Sequence, residues 1–279
     1  MGYAPQGAAV VGPTVATKIV AASDSLETGR ADYICDGISD EDEINAAIGA
    51  LPSYGGVVYL LEGTYVVDGA ITIDKSNVAL IGAGAGTVIK IKDGYNADID
   101  VISADTKDHL LIANLKIDGN KANQTAGAMR GIWFDTVTDS KIVHCWVEDM
   151  LGSVGVVLEA SSNNTISGNT CQGNGRHGIA LYTSSNNNTV TGNTCRGNSQ
   201  EEDNHFDGII ISSNSDYNNV QGNTVRHAGG AKQHRYGIRV NSSDCDGNLI
   251  TNNDLYLAGK TANLSDAGTG TVTASGNRT

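Results

Sequence analysis

Aromatic residues are scarce in this chain, at 5% of its 279 residues. A buried core must therefore be assembled from Ile, Val, Leu and Ala. Proline is rarer still, with 3 residues against 35 glycines, which sets aside collagen-like and proline-rich chains. Basic side chains are outnumbered, 18 Lys and Arg against 31 Asp and Glu, for a net charge of -13. No basic stripe is available to neutralise phosphates, so nucleic acid is excluded as the main partner. No apolar run reaches the length of a membrane span. The opening MGYAPQGAAVVGPT lacks the basic and apolar regions of a signal peptide. The expectation is a leader already removed, or another route of export such as a virion takes. The five cysteines, Cys35, Cys145, Cys171, Cys195 and Cys245, show no zinc-type C-x-x-C spacing.

What the chain has is repetition. NNTISGNTCQGNGRHGIAL at 163–181 returns as NNTVTGNTCRGN at 187–198, with six extra residues before the next Gly-Ile. One column of markers is a glycine followed by apolar residues, at Gly131, Gly155, Gly178, Gly208 and Gly237. A second is asparagine, at Asn169, Asn193, Asn223, Asn253 and Asn277, and a third holds Asn164, Asn188, Asn218 and Asn248. Between the markers run three to five residues of apolar alternation, bounded by Asn and Gly, which read as short strands. No helical pattern separates them. Each unit of roughly 24 residues is one coil of three strands, and stacked coils bury one continuous core. Asn suits the corners because it tolerates left-handed φ, and stacked Asn side chains can hydrogen-bond along the column. Val147, Cys171, Cys195 and Val225 fall inward in register. Cys171 and Cys195 are thus within reach of a disulfide, or stand as two small apolar residues of the core.

Nearer the N-terminus, DGISDEDEINAAIGAL carries Ile44, Ala47, Ile48 and Leu51 at helical spacing, with Asp40/Glu43 or Ser39/Asp42 as a capping box. A helix over about 40–51 would cover the open end of the coils. The glycine-rich stretch Gly82–Thr87 is followed by strand rather than helix and reads as a corner, not a nucleotide loop.

The stretch CDGISDEDEINAAIGALPSYGGVVYLLEGTYVV resembles the N-terminal segment of pectate-lyase-like right-handed parallel β-helix proteins. These include polysaccharide lyases, glycoside hydrolases, sugar epimerases and phage tailspikes. Glu62 stands where that pattern has proline. The resemblance covers about residues 32–279 and implies an all-β, single-stranded right-handed parallel β-helix of about eight coils. Residues 1–31 are then an N-terminal arm and 32–279 one domain. It implies a carbohydrate-active protein outside the cytoplasm: extracellular, on a cell surface or on a virion. The chain would be a lyase or hydrolase in a surface groove, or a non-catalytic binding or structural module. The partner would be a polysaccharide, acidic ones included. The oligomeric state would be a monomer, or a homotrimer in the tailspike case. The pectin-hydrolase signatures are absent: Asn204-His205-Phe206-Asp207-Gly208 is a loose echo, and Arg176 rather than Gly precedes His177.

All length variation sits at one corner. From the inward residue to the next marker glycine the counts are 14, 8, 7, 13 and 12. Two short corners between long ones predict a groove at the coils of Gly155 and Gly178. Alternation places Trp133, Val157, Ala180, Ile210 and Arg239 outward in one column, and Asp135, Glu159 and Tyr182 in the next. Asp135 and Glu159 are adjacent carboxylates suited to acid–base work on a sugar, or to a calcium ion. The expected catalytic set is Asp135, Glu159, His177, Asp207 and Arg239, with Trp133, Tyr182, His205, His234 and Arg235 binding substrate. Clustering of His177, His205, His227 and His234 supports that set. No cofactor is required by the pattern. Ca²⁺ is the one candidate ion, at the carboxylates or at Glu201-Glu202-Asp203.

Overall fold

A computed structural model describes residues 16–273 and 276–279. The first fifteen residues of the expected N-terminal arm lie outside the described residues. The remainder of that arm includes the strand Thr17–Ala21, which pairs in parallel with Gly56–Leu60.

The chain is a right-handed parallel β-helix of about seven complete turns. It has three sheets, of eleven, seven and eight strands. One coil shows the plan. Thr165–Ser167 lies in the first sheet, Thr170–Gln172 in the second and Ile179–Tyr182 in the third. Thr189–Thr191 then returns to the first sheet. Each strand pairs in parallel and in register with its equivalent one coil on. Alternation buries one side of every strand. The second-sheet column Ile117, Val147, Cys171, Cys195 and Val225 is fully buried. All five cysteines are buried free thiols, so Cys171 and Cys195 are core residues without a bridge.

The marker glycines have a steric cause. A Cβ on Gly131 would sit 2.6 Å from the Gly155 carbonyl oxygen, and one on Gly208 2.6 Å from that of Gly237. The coils approach too closely at this column for any side chain. The Asn columns work differently from the expectation. The left-handed residues are Gly168, Gly192, Gly222 and Asn252, each immediately before a column Asn. The Asn side chain then bonds to the preceding coil. Asn193 Oδ1 accepts from the Asn169 backbone N–H at 2.9 Å and from Asn169 Nδ2 at 3.0 Å, while Asn193 Nδ2 donates to the Ile166 carbonyl at 2.9 Å. Asn223, Asn253 and Asn277 repeat the pattern. So do Asn188, Asn218 and Asn248 in the second column. At a corner the strand ladder lapses, and the amide satisfies main-chain groups that would otherwise be buried unpaired.

The helix α1 spans Glu41–Gly49 and packs on Thr17–Ala21 and Ile71–Ile73 through Ile44, Ala47 and Ile48. Its capping box does not form. Asp40 is buried, and its carboxylate accepts from the Gly37 and Val66 N–H groups at 2.8 and 2.7 Å, which ties the helix start to a neighbouring strand. No helix among the described residues is long and apolar enough to cross a membrane.

Candidate functional site

The outward face of the third sheet carries the expected site columns, and register confirms their order. Trp133 pairs with Val157, then Ala180, Ile210 and Arg239. Over the two coils with short corners this face is filled rather than open. Val157, Ala180 and Ile210 are 2%, 0% and 5% exposed, and they pack together with Val154 under Trp133 and Tyr182. Apolar outward residues pull the two large rings over themselves. The predicted strand floor of a groove is therefore a second small core.

The open part of the face lies toward the N-terminus. A hollow of about 450 Å³ is lined by Tyr95, Asp98, Ser103, Arg130, Trp133 and Arg176, among others. Ile99–Asp105 and Met129–Asp135 are paired strands, with Asp100 opposite Arg130 and Ser103 opposite Trp133. Arg130 binds the Asp100 carboxylate with two nitrogens, Nε and Nη2, the latter at 3.0 Å. Its guanidinium lies 4.6 Å from the centre of the Trp133 ring. The Trp133 indole N–H donates to Glu159 Oε2 at 3.1 Å. The ring is thus fixed in orientation from two sides, with its surface on the hollow. Asp135 and Glu159 are neighbours in register, and Asp105 extends their column. Glu159 is drawn toward Trp133, with Arg130 Nη1 3.9 Å away. Asp135 accepts from the Thr136 hydroxyl at 3.0 Å.

His177 and Asp207 are closed off from solvent, at 6% and 0% exposure. The Asp207 backbone N–H donates to His177 Nδ1 at 2.8 Å. That nitrogen is therefore an acceptor and carries no proton. The 3.6 Å approach of Asp207 Oδ2 to the same nitrogen is consequently no ion pair. Oδ1 of Asp207 accepts from the Tyr236 N–H at 3.1 Å, whereas buried Oδ2 has no partner. Burial raises the Asp207 carboxyl to about 7, against the opposing pull of Arg239 and Arg235. Burial lowers the His177 imidazole to about 3. The Phe206 ring stands against His177, centroids 5.3 Å apart, and the Arg176 guanidinium lies over the Phe206 ring at 5.4 Å. Tyr182 is edge-on to His177 at 6.4 Å, and burial pushes its hydroxyl upward.

The remaining expected site residues disperse. His205 is exposed and faces Glu202 at 3.5 Å. Arg235 and Arg239 both lie over the Tyr236 ring, at 5.1 and 5.3 Å. His234 is fully buried and belongs to a third column of corner residues. Asn174 Oδ1 accepts from Met150 N–H, Asn198 Oδ1 from Asn174 N–H, and His234 Nε2 from Asn198 N–H at 2.9 Å. Its Nδ1 lies 3.1 Å from the Ala258 carbonyl, so the proton sits on Nδ1. His234 thus does an asparagine's work, buried and with both ring nitrogens engaged. Its imidazole is lowered to about 4, chiefly by burial. No hydrogen bond joins any two of the four histidines among the described residues, although after burial His234 contributes to lowering His177, and His227 to lowering His234.

Sequence reasoning missed Asp100, Arg130, Tyr95 and Arg176. The signal was present for two of them: IDVISAD at 99–105 and MRGIWFD at 129–135 share one alternation at an interval of 30.

A family model described as "Periplasmic copper-binding protein (NosD)" matches residues 70–277, more than half of the chain. No curated protein gives a significant match. Among solved structures, an alginate lyase from Paenibacillus is 16% identical, with TM-score 0.53, over 94% of this chain and 96% of its own. DFA-IIIase from Arthrobacter chlorophenolicus is 12% identical, with TM-score 0.52, over 84% of this chain and 67% of its own. A mannuronan C-5 epimerase A-module from Azotobacter vinelandii is 18% identical, with TM-score 0.38, over 93% and 99%. At their identities the alginate lyase and DFA-IIIase are alike to this chain in fold alone.

Proposed function

The chain belongs to the NosD family of right-handed β-helix proteins, and we propose that it is a carbohydrate-active member that binds polysaccharide on the outward face of the third sheet. The observation that carries this reading is the hollow beside Trp133. The indole, with the Arg130 guanidinium stacked over it and Glu159 on its N–H, lines the hollow as a fixed surface of mixed apolar and hydrogen-bonding character, which suits a sugar. Asp98, Ser103 and Arg176 around it supply directional polar groups for hydroxyls. The shared fold with an alginate lyase supports the reading. The family description supports a location outside the cytoplasm, periplasmic or extracellular.

Cleavage by a lyase or glycoside hydrolase step would fall to Glu159 and Asp135, which stand side by side next to Trp133. His177 and Asp207 are shut away, so they position the adjoining loop rather than touch sugar. A non-catalytic binding role is the second reading, favoured by the engagement of Glu159 with Trp133 and Arg130. One set of measurements separates the two. Oligosaccharides are titrated against intrinsic fluorescence, with reducing ends and unsaturated products assayed in parallel. Trp133→Ala should weaken binding at least tenfold, the loss of about 1.4 kcal/mol. If product forms and Glu159→Gln stops it with binding intact, the chain is an enzyme. Binding without product makes it a binding module. If no member of a panel of neutral and acidic polysaccharides binds, the proposal fails.

Copper, which the family description mentions, does not fit the donors present. The soft donors Cys145, Cys171, Cys195, Met129 and Met150 are buried in the core. His177 Nδ1 and both nitrogens of His234 are already engaged. Among the described residues the one close set of three donors is Cys35, Asp40 and Glu43. It lies outside the matched segment, and both Asp40 oxygens serve main-chain N–H groups. No step is assigned to copper.

A further inference from the structure

The Trp133 hollow is one end of a longer depression. The corner at 147–155 and the corner at 171–178 are short, while those on either side, 117–131 and 195–208, are long. The long loops stand as two walls over the short corners. Between them lies a hollow of about 230 Å³, floored by Gly152 and Gly175 and walled by Gly127 and Gln200. Next to it is one of about 270 Å³, bounded by Gln172, Gly173, Arg196 and Gln200. Lys121 and Gln200 line both. On the other side, Gly127, Gly152 and Gly175 of the middle hollow are chain neighbours of Ala128, Ser153 and Arg176, which line the Trp133 hollow. The three depressions follow the same two corners from the second sheet to the third. Glycine keeps the floor low: a Cβ on Gly175 would already meet main-chain nitrogen of Gly152 at 2.5 Å.

Charge distinguishes the two ends. At the third-sheet end Arg130 is neutralised by Asp100, and Arg176 by Glu201 at 2.7 Å. Lys121 in the middle is held by Asp149 at 2.9 Å and by the Gly173 carbonyl. Arg196, at the second-sheet end, is exposed and forms no ion pair among the described residues. The next coil places Arg226 beside it in register, itself paired with Asp254, so Arg196 is the unpaired guanidinium of the two. In a chain of net charge -13, an unpaired guanidinium at the end of a trough is a place for an anion, and its planar fork suits a carboxylate or sulfate.

We infer that the polysaccharide crosses the edge of the solenoid, from Trp133 over the two short corners, and that Arg196 forms a separate subsite for an anionic sugar substituent. This rests on the polysaccharide reading above and adds a path, a minimum length and a charge. Gln172 to Arg176 is four residue steps, at most about 13 Å if extended, and the middle hollow separates the Trp133 and Arg196 ends, so the two ends call for an oligomer longer than a disaccharide.

The test is a length series of oligogalacturonates, dimer to octamer, titrated against the full chain, with neutral cello-oligosaccharides as controls. Affinity should rise with length for the charged series, and Arg196→Gln should cost the octamer about tenfold while leaving the dimer unchanged. Arg196→Lys should recover part of the loss. Arg196 is exposed and unpaired, so a thermal melt should show both variants fully folded. If Arg196→Gln leaves the octamer unaffected while Trp133→Ala abolishes its binding, the crossing path is wrong and the polysaccharide reading stands. If neutral and charged octamers bind equally, the anion subsite is wrong. If no oligomer binds, both fall together.

Discussion

Two corners of the same coil obey opposite rules. Between the first and second sheets four successive coils turn on one short element, Gly168-Asn169, Gly192-Asn193, Gly222-Asn223 and Asn252-Asn253, and the two coils before them on turns of the same length, Asn114-Leu115 and His144-Cys145. Between the second and third sheets the length runs from 7 to 14 residues. The first corner is locked because each Asn both receives and donates across the coil boundary, so its backbone position is dictated by its neighbours. The second begins under the same constraint, through Asn174 and Asn198, and then escapes it. Where a long loop follows, His234 reaches back to Asn198 from 36 residues away, whereas its sister columns step by 30. An imidazole fills the bonding role with a different reach, and the intervening chain is released to form a wall.

The contrast can be broken most severely by insertion. Two glycines placed between Gly192 and Asn193 should displace a whole column and cost about 4 kcal/mol or more, through several buried groups left unpaired. The same insertion between the exposed Gly229 and Gly230 should cost under about 0.5 kcal/mol. Thermal and urea melts of the two proteins, side by side, check this. Comparable losses at both sites would show that the corners do not differ. Next in size is Asn193→Ala. It removes the acceptor for Asn169 N–H and Nδ2 together with the bond to Ile166, and should cost about 3 kcal/mol in a urea melt.

The buried titratable groups of the variable corner give a smaller, pH-dependent effect. Asp207 sits near 7 in the folded chain and near 3.8 when unfolded. Between those values the folded state binds more proton, so its contribution falls as pH rises from about 4 to 7. His177 and His234 behave oppositely. Both are lowered from 6.5 to about 3 and about 4, so the unfolded state takes up their protons first and stability falls as pH drops below about 6.5. Asp207→Asn should therefore gain about 2 kcal/mol over the native chain at pH 8 and little at pH 4. His234→Asn should soften the acid limb. Identical pH profiles for all three proteins would contradict these buried states.

Much of this was legible in residue order. Strand parity, the Asn and Gly columns and the most variable corner all follow from local spacing, because a solenoid repeats its contacts with its sequence. The site was less legible. Arg130 and Asp100 meet because two coils align at an interval of 30, in a stretch that lies ahead of the Asn columns that set the register elsewhere. The burial of Ala180 and His177 depends on Trp133, Tyr182 and Phe206 folding across them, which alternation cannot report. His234 carries a column bond at an irregular interval, so its identity as a histidine pointed toward chemistry instead of architecture. Asp40 has the wording of a helix cap, yet the local N–H of Gly37 and the distant one of Val66 claim its carboxylate.

The matched columns make the molecule's length a countable quantity. Residues 164–187 are one full period, and their removal would join Asn163 to Asn188. Asn188 would then receive the Ser140 N–H that Asn164 receives now, and Asn193 that of Cys145. The rod would shorten by one strand spacing, about 4.8 Å, with no seam in its bonding. One of the two short corners would go with it, so the same excision that preserves the scaffold would halve the width of the passage between the loop walls.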